Sequence, residues 1–178
     1  MSKLLVVVDM QNDFVDGALG SEEAKAIVPK VVQKIREWDG KIIFTLDTHG
    51  DNYMQTREGK KLPVPHCVEG TVGHQLNDSV NAELLRMITD EEAKVMNIVE
   101  KRTFGSTALP ELLKGTDVDY IELVGLCTDI CVVSNAMLLK AHYPEIDIAV
   151  DSSCCAGVTP ASHEAALTTM KMCQIEVK

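Results

Sequence analysis

The stretch Leu4-Leu5-Val6-Val7-Val8-Asp9-Met10-Gln11-Asn12-Asp13-Phe14, LLVVVDMQNDF, runs five aliphatic residues directly into a carboxylate. A strand with one wet face would alternate apolar and polar residues, whereas an unbroken run of this length suits a parallel strand covered on both faces. Ile42 to Leu46, Tyr120 to Val124 and Ile146 to Val150 have the same character. Val95 to Val99, interrupted by Asn97, fits an outer strand, and Ile175 to Val177 is a sixth candidate. Amphipathic stretches lie between them. Ser21 to Asp39 spaces Ala24, Ile27, Val28, Val31, Val32, Ile35 and Trp38 by threes and fours, with Gly40 as a stop. Asp78 to Thr89, Ala108 to Lys114, Asp129 to His142 and a segment opening at Pro160 read as further helices. Strand and helix alternate throughout. The expected class is α/β, a three-layer α/β/α fold with a mostly parallel five- or six-stranded sheet and right-handed crossovers.

At 178 residues the chain matches one domain, 1–178, able to bury a core without staples. Aromatic residues make up only 4%, so that core must be aliphatic. A formal charge of -10 argues against nucleic acid or an anionic membrane surface as partner, since both repel a negative protein. The apolar run before Asp9 is too short for a signal peptide, and no run approaches a membrane span, so a cytoplasmic location is expected. The cysteines, at 67, 127, 131, 154, 155 and 173, follow no disulfide framework and read as reduced thiols. One segment breaks the pattern. From about 47 to 77 the chain is polar, rich in Gly and Pro, and without periodicity, and loops of that length inside a domain usually serve function.

In an open parallel sheet, ligands bind beyond the carboxyl ends of the strands, so the residues closing each run are those to weigh. They are Asp9, Asp47-Thr48-His49, Lys101 and Gly125 to Val132, GLCTDICV. With Thr128 as N-cap, Cys131 falls in the first turn of a helix, where free N–H groups and the helix dipole favour a thiolate, and Lys101 nearby would lower its pKa further. The alternative is a small buried hydrophobe. Cys127 reads as packing or backbone; a zinc pair lacks the usual second cysteine pair, and a disulfide is disfavoured in a reducing compartment. Asp9 is either a turn cap or a desolvated carboxylate that takes a thiol proton and returns it to a leaving amine. Lys101 is either a surface charge or the partner of both. Asp47 and His49, with the distant His66, offer three metal ligands, and Glu58 a fourth; the alternative is a set of solvated loop residues. His74, His142 and His163 show no comparable partners and read as surface or core histidines.

Taken in order, VVVDMQNDF, TLDTH, PVPHCVEGTVG, EKRTFGST and GLCTDICV resemble the isochorismatase-like cysteine hydrolases, most closely their metal-dependent nicotinamidase branch. The resemblance spans nearly the whole chain. It implies Asp9 as general base, Lys101 as the triad lysine and Cys131 as nucleophile, with Asp47, His49 and His66, and Glu58 in some members, as metal ligands. It also implies a cis peptide at Leu126-Cys127 and an oxyanion hole from the N–H groups of Cys127 and Cys131. The cofactor would be one divalent ion, zinc, iron or manganese, with no organic cofactor, and the substrate a small amide, hydrolysed through a thioester. A homo-oligomer is expected. The sequence departs from the branch at Leu62-Pro63-Val64-Pro65, where an aromatic residue often precedes the metal histidine, leaving Phe14 and Phe104 to contact a substrate ring. Other readings are a small-amide or carbamoyl hydrolase with a different substrate, and, from another class, a metal-binding or redox-sensing protein using Cys127 and Cys131. A vinyl-ether hydrolase is weakest, because that chemistry needs neither this cysteine nor this metal set.

Overall fold

The computed structural model describes residues 2–89 and 94–178. Six strands form one sheet in the order β3-β2-β1-β4-β5-β6, and every pairing is parallel. They are β1 (Ser2–Val8), β2 (Lys41–Asp47), β3 (Val95–Lys101), β4 (Val118–Leu126), β5 (Asp147–Ala156) and the short β6 (Glu176–Val177). Helices α1 (Asn12–Val15), α2 (Glu22–Glu37), α3 (Arg57–Lys61), α4 (Asp78–Thr89), α5 (Ala108–Glu111), α6 (Val133–His142) and α7 (Pro160–Met172) connect them.

The unbroken apolar runs are explained by two cores. Alternate residues of β1 face opposite ways. Leu5 and Val7 join Ile27, Val31 and Ile35 of α2 and Val80 and Leu84 of α4, while Leu4, Val6 and Val8 join Leu109, Ala136, Leu139, Leu167 and Met170 of α5, α6 and α7. Local signals set the helix ends. Ser21 accepts the Ala24 N–H at 3.0 Å to begin α2, and Thr159 and Ser162 form a reciprocal capping box ahead of Pro160 in α7. No helix among the described residues is long and apolar enough to cross a membrane.

From β1 the chain winds outward to β2 and β3, then returns to place β4 on the other side of β1. Connections on the two sides therefore diverge between β1 and β4 and leave a crevice at their carboxyl ends. Gly125 lets these strands close up. Its φ is +118°, and a Cβ there would lie 2.1 Å from the Val8 carbonyl oxygen.

The polar segment expected as a loop has structure of its own. A 3-10 turn at Tyr53–Gln55 leads into α3, whose first turn is capped by Thr56 accepting the Gly59 N–H at 3.0 Å. Periodicity cannot register elements this short. The start of the sixth helix also differs from expectation. Thr128–Val132 forms a π turn, and the Thr128 hydroxyl caps nothing; it pairs with His163 Nδ1 at 2.8 Å.

Candidate active site

Asp9 leaves β1 at φ +47°, a left-handed conformation that aspartate tolerates better than most residues. Its Oδ1 accepts the Thr45 hydroxyl at 2.6 Å. Lys101, closing β3, brings Nζ to 2.6 Å from Asp9 Oδ2, 3.4 Å from Cys131 Sγ and 3.2 Å from Asp47 Oδ1. All four residues are buried. The lysine approaches Asp9 Oδ2 off a hydrogen-bond direction, so that oxygen still lacks a well-aligned donor. Asp9 and Cys131 thus share Lys101 as a neighbour.

Burial decides the protonation states. It pushes the Asp9 carboxyl up against the opposing charge of Lys101. It pushes the Cys131 thiol well up, with the Asp9 charge adding and Lys101 opposing. For Lys101 burial favours the neutral amine, but Asp9, Cys131 and Asp47 outweigh it and hold the ammonium charged. The lowering of this thiol's pKa expected from the helix start and Lys101 is outweighed by burial. At 4% exposure, desolvation of a sulfur anion exceeds what one shared lysine returns. Use of this sulfur as a nucleophile would require a base to take its proton, and the Asp9 carboxylate shares Lys101 with it.

The second cluster comes from the long polar segment. His49 Nε2 lies 2.9 Å from Asp47 Oδ2 and 3.6 Å from Glu58 Oε1, and His66 Nε2 lies 3.5 and 3.7 Å from the same two oxygens. Ligand atoms about 2.0–2.2 Å from one ion stand roughly 3–3.6 Å apart, so the set fits a divalent cation. The ring orientation fits too: His66 Nδ1 donates to the Val64 carbonyl at 2.8 Å, which turns Nε2 toward the carboxylates. Burial works against the Asp47 anion, but hydrogen bonds from His49 and His66 and the Lys101 charge hold its carboxyl well below the usual range. Tyr53 braces the cluster. Its ring meets His49 and His66 edge-on, at centroid distances of 4.7 and 5.0 Å, and its hydroxyl donates to the Leu62 carbonyl.

One cavity joins the clusters, with Asp47, Glu58 and His66 on one wall and Cys127, Ile130 and Cys131 on another. Phe14 also lines it, its ring 5.5 Å from that of His66, as do Leu62 and the half-exposed Phe104 at the rim. The Leu126-Cys127 peptide is cis. Burial pushes the Cys127 thiol up to about 12. The structure thus brings together every residue singled out from the sequence. Sequence reasoning missed Thr45, Tyr53 and His163. A hydroxyl inside the apolar run Ile42 to Leu46 was the available signal for Thr45; nothing local marks Tyr53, and His163 was set aside for want of a sequence neighbour.

Residues 3–177 match the isochorismatase domain family model. A nicotinamidase/pyrazinamidase of Mycobacterium tuberculosis is 27% identical, covering 98% of this chain and 97% of its own. A crystal structure of a nicotinamidase from Bacillus subtilis superposes with a TM-score of 0.83 at 30% identity over 99% of both chains. A pyrazinamidase of Pyrococcus horikoshii in complex with zinc gives 0.79 at 28% identity over 100% of this chain and 99% of that one.

Proposed function

Because the chain belongs to the isochorismatase family, in its nicotinamidase branch, we propose that it hydrolyses nicotinamide to nicotinate and ammonia through a thioester on Cys131. The observation that carries this reading is the shared cavity: the ligand cluster and the thiol open on the same small, mainly apolar space. Asp47, His49, Glu58 and His66 would hold a divalent ion, which supplies a Lewis-acid anchor for the pyridine nitrogen of the substrate. Two imidazoles in the donor set, and the zinc complex of the Pyrococcus horikoshii protein, favour zinc. We read residues 1–178 as one catalytic domain.

The remaining steps belong to the chain's own side chains. Asp9 takes the Cys131 proton while Lys101, 3.4 Å from the sulfur, offsets the negative charge that forms. Sulfur attacks the carboxamide carbon, and the N–H groups of Cys127 and Cys131 stabilise the tetrahedral oxyanion. Asp9 returns the proton to the leaving nitrogen and ammonia departs. Asp9 then activates water against the thioester, releasing nicotinate and restoring the thiol. Phe14, its ring 5.5 Å from that of His66, would stack on the substrate ring.

Leu62 favours a second reading, a different small amide. It lines the cavity from the segment where the branch often carries an aromatic residue. Assay of the metal-loaded protein against a panel of small amides separates the two. Ammonia release fastest from nicotinamide is expected, and its absence there would overturn the assignment.

A further inference from the structure

Gln11, Asn12 and Asp13 follow the base closely in the chain and take no part in the chemistry above. Their side chains nevertheless end on the backbone of the metal-ligand segment. Gln11 is fully buried. Its Oε1 accepts the Asp47 N–H at 2.7 Å, while its Nε2 donates to the Asp47 carbonyl and to the His74 carbonyl, each at 2.8 Å. One planar amide thus holds the backbone on both sides of the Asp47 side chain. Asp13 Oδ2 accepts the N–H of Cys67, the residue after His66, at 2.8 Å. Gly73 leaves room for that carboxylate, since a Cβ there would stand 2.0 Å from the same oxygen. Asn12 Nδ2 donates to the Val72 carbonyl at 2.9 Å, and the Asn12 and Asp13 N–H groups donate to the Gln75 and Gly73 carbonyls.

We propose that Gln11 and Asp13 are positioning residues for the metal centre, registering the backbone of Asp47 and of His66-Cys67 against the strand end that carries Asp9. Side-chain chemistry explains the residue types. Glutamine is needed where one group must accept an N–H and donate to two carbonyls; glutamate would set an acceptor against both carbonyls, and asparagine is one methylene short. Asp13 meets two backbone donors, the Cys67 N–H at Oδ2 and, at a longer 3.3 Å, the Ala18 N–H at Oδ1, and needs only acceptors. The consequence is mechanical. Asp47 presents Oδ2 to the histidines, so a shift of its backbone disturbs the ligand cluster, while Lys101, which meets its Oδ1, keeps Asp9 and Cys131 as its other partners.

The inference rests on the metal reading above, and the test separates the two. Zinc affinity of the full-length protein is measured by competition with a chromophoric chelator, alongside the iodoacetamide alkylation rate of Cys131 in the metal-free state. Gln11→Glu and Asp13→Ala are expected to weaken zinc binding by about 10- to 100-fold, as loss of groups that orient ligands does elsewhere. Asp13→Asn keeps an acceptor for the Cys67 N–H and should restore wild-type affinity to within a few-fold, with Cys131 alkylation little changed in all three. Undiminished zinc affinity in Asp13→Ala, failure of Asp13→Asn to restore it, or Cys131 reactivity changing in step with affinity overturns the inference. If Gln11→Glu does not fold, the Asp13 pair decides alone. A wild type that takes up no zinc overturns the metal reading and this inference with it.

Discussion

At the scale of the residue, two cysteines four positions apart have opposite fates. Cys131 Sγ lies 3.4 Å from Lys101 Nζ, whereas the half-buried Cys127 lines the cavity with a thiol pushed up to about 12. Cys131→Ala should therefore abolish ammonia release, and Cys127→Ala should retain measurable turnover. Asp9 predicts a pH dependence. Burial raises its folded-state pKa, and the base works only when ionised, so activity falls as pH drops through a value above the ordinary ~3.9. A kcat/KM profile with its acid limb at or below that value would contradict the assignment. Lys101 lies between two carboxylates, and Lys101→Met should cost about 3–5 kcal/mol of stability by leaving buried charge unpaired. Urea unfolding measures this. The strand-end residues Asp9, Asp47 and Lys101 were legible because an ionisable group closing a buried run is conspicuous in the sequence. The protonation state of Cys131 was not, because desolvation depends on what covers the sulfur.

At the scale of the element, the four long apolar runs were readable because both their faces are buried, and the four longest helices because each buries one face at a spacing of threes and fours. The short pieces around the site were not. The 3-10 turn at Tyr53–Gln55 and α3 are too short for a period to register, yet they carry the buried ring that braces His49 and His66, and the Glu58 carboxylate. Their packing rests on Gly59, where a Cβ would stand 2.1 Å from the Tyr53 carbonyl oxygen. Gly59→Ala should displace Glu58 and weaken metal binding while leaving far-ultraviolet circular dichroism unchanged. The contact of β4 with β1 is less forgiving. Gly125→Ala sets a methyl group against the Val8 carbonyl at a φ of +118°, and should destabilise the fold by about 2 kcal/mol or more. A urea midpoint equal to wild type would refute that.

At the scale of the whole molecule, a second buried ionic network ties α2 to the sheet far from the cavity. Lys34 Nζ lies 2.7 Å from both Glu122 of β4 and Asp151 of β5, and Glu122 also accepts from the Tyr120 hydroxyl and from Lys178. Burial opposes both carboxylates, yet these partners hold them below their usual range. A depressed folded-state pKa gives stability that is complete above the unfolded values, about 3.9–4.3, and is lost as pH falls through the folded ones. The difference in urea midpoint between wild type and Lys34→Met should therefore be large at neutral pH and shrink as pH falls below those unfolded values. Metal removal should also act globally. An ion present at 100 times its Kd stabilises the folded state by about 2.7 kcal/mol, so chelation should lower the melting temperature of wild type and leave that of His66→Ala unmoved. The sequence by itself determined the α/β class, the parallel sheet and the chemistry-bearing strand ends, because unbroken apolar runs and helix faces of period 3.6 are written locally. Only the tertiary structure decided that Lys101 joins the thiol, the base and the metal-ligand carboxylate, that Tyr53 backs the histidines, and that Gln11 and Asp13 grip the ligand loop. Those contacts join residues up to several tens of positions apart in the chain, and strand order, with the reversal between β1 and β4, is what brings them together.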